Sequence, residues 1–199
     1  DYSQYKEQLQ RLDATGTPID IYDPVSVAPT VRGWESQPDQ TSSQLGLYVQ
    51  DQIRWADRVS LVLGARRDHA RSKTEGQPSQ TDNATTYRAG LIADVGAGVS
   101  PYLSYSESFL PVSGQDLFGQ AFKPMRGRQA EAGIKWQPAR NLLLTMAAYR
   151  ITETNRQTND PDNVLNVVQT GQIRSKGIEL EGQFQFANDL TVTAAVARN

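Results

Sequence analysis

Ala56-Asp57-Arg58 followed by Val59-Ser60-Leu61-Val62-Leu63-Gly64-Ala65-Arg66-Arg67 is the stretch whose reading decides the fold. In extended backbone Val59, Leu61, Leu63 and Ala65 share one face, and the first charge on that face is Arg67. Three other tight turns launch the same pattern. Gly96-Ala97-Gly98 leads to Val99, Pro101, Leu103 and Tyr105 before Glu107, and Pro138-Ala139-Arg140 to Leu142, Leu144, Met146 and Ala148 before Arg150. Asn188-Asp189 leads to Leu190, Val192, Ala194 and Val196 before Arg198. Strands entering the turns mirror this: Arg128 precedes Ala130, Ala132, Ile134 and Trp136, and Lys176 precedes Ile178, Leu180, Gly182, Phe184 and Phe186. A tilted strand of about 9–11 residues crosses the hydrocarbon layer of a bilayer. The apolar face therefore has the height of a membrane and then stops, which outlines the wall of a transmembrane β-barrel.

Composition agrees with a barrel and disfavours several other classes. Hydrophobic residues make up 38% of the 199 residues, low for a densely packed core, and the mean hydropathy is -0.56. Barrel strands hide their lipid face at every second residue, so no long apolar run is needed. The net charge of -2 and the lack of a Lys/Arg cluster give no reason to expect nucleic acid. Without cysteine there are no disulfides or thiolate metal sites, and the single His69 cannot form a histidine metal cluster. The start, Asp1-Tyr2-Ser3-Gln4-Tyr5, lacks the features of a signal peptide, and Leu190 to Arg198 reads as half a hairpin. A piece of a longer protein is expected.

The pattern predicts strands near 44–56, 58–73, 84–95, 98–109, 126–137, 140–154, 172–186 and 190–199. The fold class is all-β: an antiparallel meander forming part of an outer-membrane barrel. Connections alternate between short ones and long ones at 74–83, 110–125 and 155–171, as expected of periplasmic turns and outer loops. Residues 1–43 read as one long outer-loop region and 44–199 as barrel wall. Trp55, Trp136, Phe184 and Phe186 fall beside short turns, with Tyr87 and Tyr105 near the opposite end of the same face, matching two interfacial belts. Asp51 is a misfit on the apolar face; a bulge, an interfacial partner or a shifted register would each account for it. The other face is polar, including Gln50, Gln52, Arg66, Asp68, Arg88, Glu131, Lys135, Glu179 and Glu181, as suits a wet lumen or a surface against a polar plug.

Several stretches resemble the barrel of TonB-dependent siderophore receptors, of the ferrichrome type. These are Gly46-Leu47-Tyr48-Val49-Gln50-Asp51-Gln52-Ile53, then Leu63-Gly64-Ala65-Arg66-Arg67-Asp68, where that family usually has an aromatic before the Asp. Tyr102-Leu103-Ser104-Tyr105-Ser106-Glu107-Ser108-Phe109-Leu110-Pro111, Glu131-Ala132-Gly133-Ile134-Lys135-Trp136 and Arg174-Ser175-Lys176-Gly177-Ile178-Glu179-Leu180-Glu181 follow in the same order. The resemblance implies a 22-stranded barrel around an N-terminal plug in the Gram-negative outer membrane. It also implies import of ferric siderophores driven by the TonB complex, which would engage a segment not in this sequence. No intrinsic cofactor is implied; the ferric siderophore is the ligand.

Such a ligand would be held by rings and a few polar groups at the outer mouth. The candidates are Tyr22, Trp34, Phe109, Phe118 and Phe122, each of which could instead only anchor its loop. An enzyme is the rival class, but His69 falls on the lipid-side face, away from Ser60 and Ser104 on the polar face. Glu179 and Glu181, two apart on one face, read as lumen groups rather than an acid/base pair. A small passive or adhesive eight-stranded barrel and a soluble β-sandwich ligand-binding module remain as alternatives.

Overall fold

Long alternation of apolar and polar side chains favours extended backbone, and the computed structural model consists of strands and turns. It describes residues 1–16, 22, 28–163, 166–169, 171–187 and 190–199. The Asn188-Asp189 turn, and Pro18, Asp23 and Pro24 of the first segment, lie outside the described residues. The strands in chain order are β1 (Tyr2–Glu7), β2 (Gln10–Thr15), β3 (Thr30–Ser36), β4 (Gln40–Trp55), β5 (Val59–Thr74), β6 (Gln80–Ala93) and β7 (Val99–Leu110). There follow β8 (Met125–Ala139), β9 (Leu142–Thr154), β10 (Gln157–Asn159), β11 (Val167–Gln169), β12 (Gln172–Gln185) and β13 (Thr191–Arg198).

One antiparallel sheet holds nine of these strands in the order β1-β4-β5-β6-β7-β8-β9-β12-β13. It is a meander, open at both edges, with β2–β3 and β10–β11 as separate two-stranded hairpins. Among the described residues no second layer packs on its apolar face: Leu63, Ile134 and Val192 are 45%, 48% and 47% exposed. A soluble sandwich would bury all three between its sheets, so that alternative fails. The closed eight-stranded barrel fails too, because β1 and β13 stand at opposite edges.

Short turns have the backbone that such hairpins need. Ala56 and Asp57 both take positive φ, 49° and 53°, and Arg58 N–H closes the turn on Trp55 C=O at 3.1 Å. This is the doubly left-handed bend that matches strand twist, here built without glycine. At Gly98 (φ 72°) a Cβ would strike the backbone carbonyl of Gln137.

Four features depart from the sequence reading. Within residues 1–43, β1 pairs with the start of β4, from Tyr2↔Leu45 to Glu7↔Gln40, so the wall already includes this segment. These rungs lie above the apolar band, where no hydrophobic alternation marks a strand. The connection expected over 74–83 shrinks to residues 75–79, because β6 begins at Gln80 and its hairpin with β5 rises beyond the band. β10 and β11 form inside the expected loop 155–171. The β4–β5 register runs unbroken from Gln40↔Thr74 to Trp55↔Val59, so no bulge or shift explains Asp51; it stands exposed on the apolar face opposite Leu63.

One seam is short. β6 and β7 pair only from Arg88↔Ser106 to Ile92↔Tyr102. Below, the ladder meets Pro101, which has no N–H to donate. Above, the Glu107 carboxylate takes the Tyr87 N–H at 3.3 Å in place of a backbone partner.

Candidate functional site at the outer mouth

Above Arg67 the two faces of β5 differ sharply in exposure. Arg67, His69, Arg71 and Lys73 are exposed on the outward face, whereas Asp68, Ala70 and Ser72 are buried on the polar face. A buried carboxylate requires partners. Asp68 Oδ1 accepts from Gln44 Nε2 at 2.8 Å and from Arg66 Nε at 2.9 Å, and Arg66 also reaches Asp1 Oδ2 at 3.0 Å. Gly46 sits against this pair, where any Cβ would collide with the Arg66 guanidinium and the Asp68 carboxylate. Below it, Tyr48, Gly64, Arg66, Thr86 and Arg88 line a recess of about 550 Å³, with the Arg88 side chain lying across Gly64.

The segment 111–124 folds over the polar face of β5 and β6. Phe122 is 7% exposed; its N–H donates to Gly114 C=O at 3.1 Å, and its C=O accepts from Gln80 Nε2 at 2.7 Å. Asp116 Oδ1 accepts the N–H groups of Phe118 (2.9 Å) and Gln120 (2.8 Å), which shapes a tight turn. Phe118 stands at the tip of that turn, 89% exposed. Gln169 of β11 clasps this segment to its neighbour: its Oε1 accepts Lys123 N–H at 2.8 Å, while its Nε2 donates to Lys123 C=O at 2.7 Å and Asn155 C=O at 2.8 Å.

Of the five candidate rings, Phe118 and Phe122 therefore share one loop over the polar face, one exposed and one buried. Trp34 is exposed on β3, in register with Leu12, and Tyr22, between β2 and β3 in the sequence, is exposed as well. Phe109 lies on the outward face by strand parity, with the Arg126 guanidinium 5.8 Å from its ring centroid. The sequence reading missed the Gln44–Asp68–Arg66–Asp1 network and the Gln169 clasp. A Gln carries no periodic signal, and only the docking of two loops distant in sequence reveals its role.

His69 is exposed on the outward face, its Nδ1 3.0 Å from Asn83 Oδ1. Glu179 and Glu181 project from the polar face of β12, below the mouth. Among the described residues no group of three or more His, Asp or Glu side chains is placed to hold a metal ion.

Residues 1–198 match the family described as TonB dependent receptor-like, beta-barrel. The chain belongs to the TonB-dependent receptor family. Over 158 residues it is 37% identical to the ferrichrome outer membrane transporter/phage receptor of Escherichia coli K12, covering 76% of this chain and 21% of that protein. Over 186 residues it is 37% identical to the ferrioxamine B receptor of Salmonella typhimurium, covering 89% of this chain and 26% of that protein. It thus spans about a fifth to a quarter of the length of these relatives. Among solved structures, the ferric-catecholate import receptor Fiu of E. coli K12 superposes on all of the chain with a TM-score of 0.71 at 19% identity, over 34% of its own length. The sheet is therefore part of a TonB-dependent receptor wall in the Gram-negative outer membrane.

Proposed function

We infer that this wall belongs to a receptor that imports a ferric siderophore through the outer membrane with energy from the TonB complex, acting as a transporter and not as an enzyme. The observation that carries this reading is the 37% identity to both the ferrichrome transporter and the ferrioxamine B receptor. The geometry of the mouth is consistent with it. Phe118 and Trp34 offer exposed rings at the outer end, with Tyr22 exposed in the same sequence region 1–43 as Trp34, and these are the ligand contacts we assign. Phe122 serves the site by fixing the loop that carries Phe118, and Phe109 by bracing the root of that loop under Arg126. The recess by Arg66 and Arg88 lies beneath, on the surface that a plug would face. Residues 8–39, 75–79, 111–124 and 155–171 make up the external surface in this reading.

The test uses the full-length receptor in cells lacking other siderophore receptors. Uptake of ⁵⁵Fe-ferrichrome and ⁵⁵Fe-ferrioxamine B is measured with and without a functional TonB complex, and binding is followed on the purified protein. The expected result is TonB-dependent uptake of one of them, and weaker binding by Phe118→Ala of about threefold to thirtyfold, the cost of about 0.7–2 kcal/mol for a lost ring contact. Failure of the receptor both to bind and to take up either ferric siderophore would overturn the assignment.

A further inference from the structure

The β6–β7 seam stops early although both strands continue. β6 runs upward to Gln80 and β7 to Leu110, yet their pairing ends at Arg88↔Ser106. The neighbouring seams stay paired to the top, as far as Ser72↔Gln80 and Leu110↔Met125. Asp94 N–H bonds Arg58 C=O, and by alternation from there the even residues of β6 turn their backbone groups toward β5 and the odd ones toward β7. Carried upward in the same register, backbone bonds would join Tyr87 to Glu107 and Thr85 to Phe109. The ladder would end there, because Pro111, opposite Asn83, has no N–H. The sequence thus permits these two rungs, and the structure leaves them unmade.

A side chain takes their place. Glu107 Oε2 accepts the Tyr87 N–H at 3.3 Å, the bond that the Glu107 carbonyl would accept in a closed ladder. Its Oε1 accepts from the Tyr105 hydroxyl at 2.7 Å, with Arg128 Nε at 3.8 Å. The Glu107 side chain is 19% exposed against 72% for Arg128, so the carboxylate is drawn in against the wall. Charge-assisted bonds are stronger than neutral ones, which lets this side chain compete with a backbone rung. The recess beneath the mouth is lined by Tyr87 and Glu107 of the outward face as well as by Thr86 and Arg88 of the polar face, so its edge lies at the split. Above the split, Gln80 Nε2 and Gly114 C=O hold Phe122. The segment 111–124 therefore starts from β7 and crosses to β6.

We propose that Glu107 is a positioning residue for the loop that carries Phe118: by taking the Tyr87 N–H it holds β6 and β7 apart and fixes the direction in which the chain leaves Leu110. Without the carboxylate, the Glu107 carbonyl becomes the acceptor that the register offers to Tyr87. Pairing there closes both rungs and turns Leu110 and Pro111 alongside Ala84 and Asn83, off their present course toward Phe122. The consequence for ligand contact rests on the siderophore reading above; the placement of the loop does not.

The experiment uses the full-length receptor carrying Thr86→Cys/Ser108→Cys, a pair directly opposite in the closed register and just beyond the last rung of the split seam. Closed, such a pair has Cα atoms about 4.5 Å apart, within disulfide range. Oxidative cross-linking and amide exchange over 111–124 are compared between this parent and the same protein with Glu107→Ala or Glu107→Gln, and heat-modifiable migration verifies folding. Binding and uptake of ⁵⁵Fe-ferrichrome and ⁵⁵Fe-ferrioxamine B are measured alongside. We expect Glu107→Ala to raise the cross-linked fraction at least fivefold and to speed exchange over 111–124 at least threefold. It should also raise the half-saturating siderophore concentration at least threefold at an unchanged maximal rate of uptake. Glu107→Gln, which keeps an oxygen acceptor for the Tyr87 N–H, should stay within about twofold of the parent in cross-linking and exchange. Unchanged cross-linking in Glu107→Ala overturns the proposal, even with a lowered urea midpoint, because the residue is then merely structural. Raised cross-linking with unchanged exchange over 111–124 also overturns it, since the seam then closes without moving the loop. A parent that binds neither siderophore refutes the transport reading instead, and cross-linking and exchange still decide the positioning role.

Discussion

Leu103 and Ser104 are neighbours on β7 that face different solvents, and exchanging each for arginine isolates that difference. Leu103 lies four residues above Val99, where β7 begins, and four below Glu107. At a rise of about 3.4 Å per residue and a tilt of about 45°, it stands about 10 Å from either boundary, close to the middle of the hydrocarbon. Its side chain is 58% exposed in the isolated wall, so no protein core shields a charge placed there. An arginine on the lipid face at mid-depth costs about 2–4 kcal/mol, a factor of about 30 to 1000 in the folding equilibrium. Ser104 faces the polar interior between Gly90 and Glu131, and a surface substitution there is worth about 0.5 kcal/mol or less. The assay is urea-dependent folding of the full-length receptor into lipid vesicles, read by tryptophan fluorescence and heat-modifiable migration. Leu103→Arg should lower the midpoint strongly and Ser104→Arg hardly at all. Equal effects, or a larger effect for Ser104→Arg, would refute the assignment of the two faces.

Three further outcomes follow from particular contacts. Gln169→Leu removes two hydrogen bonds that join segment 155–171 to Lys123 of segment 111–124, and a third to Asn155 within its own segment, each worth about 0.5–1.5 kcal/mol; faster amide exchange over 111–124 with unchanged exchange in the β8–β9 ladder is expected. Asp57→Gly relieves a left-handed residue at φ 53° and should raise the folding midpoint by about 0.5–1 kcal/mol equivalent, whereas Gly98→Ala should lower it. Asp51→Leu removes a carboxylate from the apolar face and should stabilise the vesicle-inserted protein by up to about 1 kcal/mol; a destabilised Asp51→Leu would mean that this carboxylate has a partner in the whole receptor.

The wall was legible in sequence because one solvent acts on every strand. Val59 to Ala65, Leu142 to Ala148 and Ile178 to Phe184 each repeat the same two-residue period, and the observed strands agree with the expected ones to within a few residues over 44–199. Legibility ended where the hydrocarbon ended. β1 and the upper rungs of β4 and β6 face water on their outward side, so Thr41, Ser43, Thr81 and Asn83 show no apolar alternation although they are in the ladder. The mouth was legible only as a set of aromatic rings in loops. Which ring is buried depends on Gly114 and Gln80, and which loops move together depends on Gln169; these contacts join residues dozens of positions apart, and no local pattern encodes them.

The short seam between β6 and β7 ties these two levels together. A strand edge left without a neighbour exposes N–H and C=O groups that need other partners, and here side chains supply them. Glu107 takes the Tyr87 N–H, and Arg126 reaches across Phe109 to the Asn83 C=O at 3.4 Å. Higher still, Gln80 at the start of β6 holds Phe122 of the segment that leaves β7. The loop carrying Phe118 is thus hinged on β7 but fastened to β6, across the stretch where the backbone ladder is missing. Side-chain contacts to a shared carboxylate or amide break more easily than a run of paired backbone rungs, since each is a single bond with a wet alternative. The backbone ladder is accordingly shortest at the place where the ligand-contacting loop we assign is attached, while the seams on either side, β5–β6 and β7–β8, keep continuous registers.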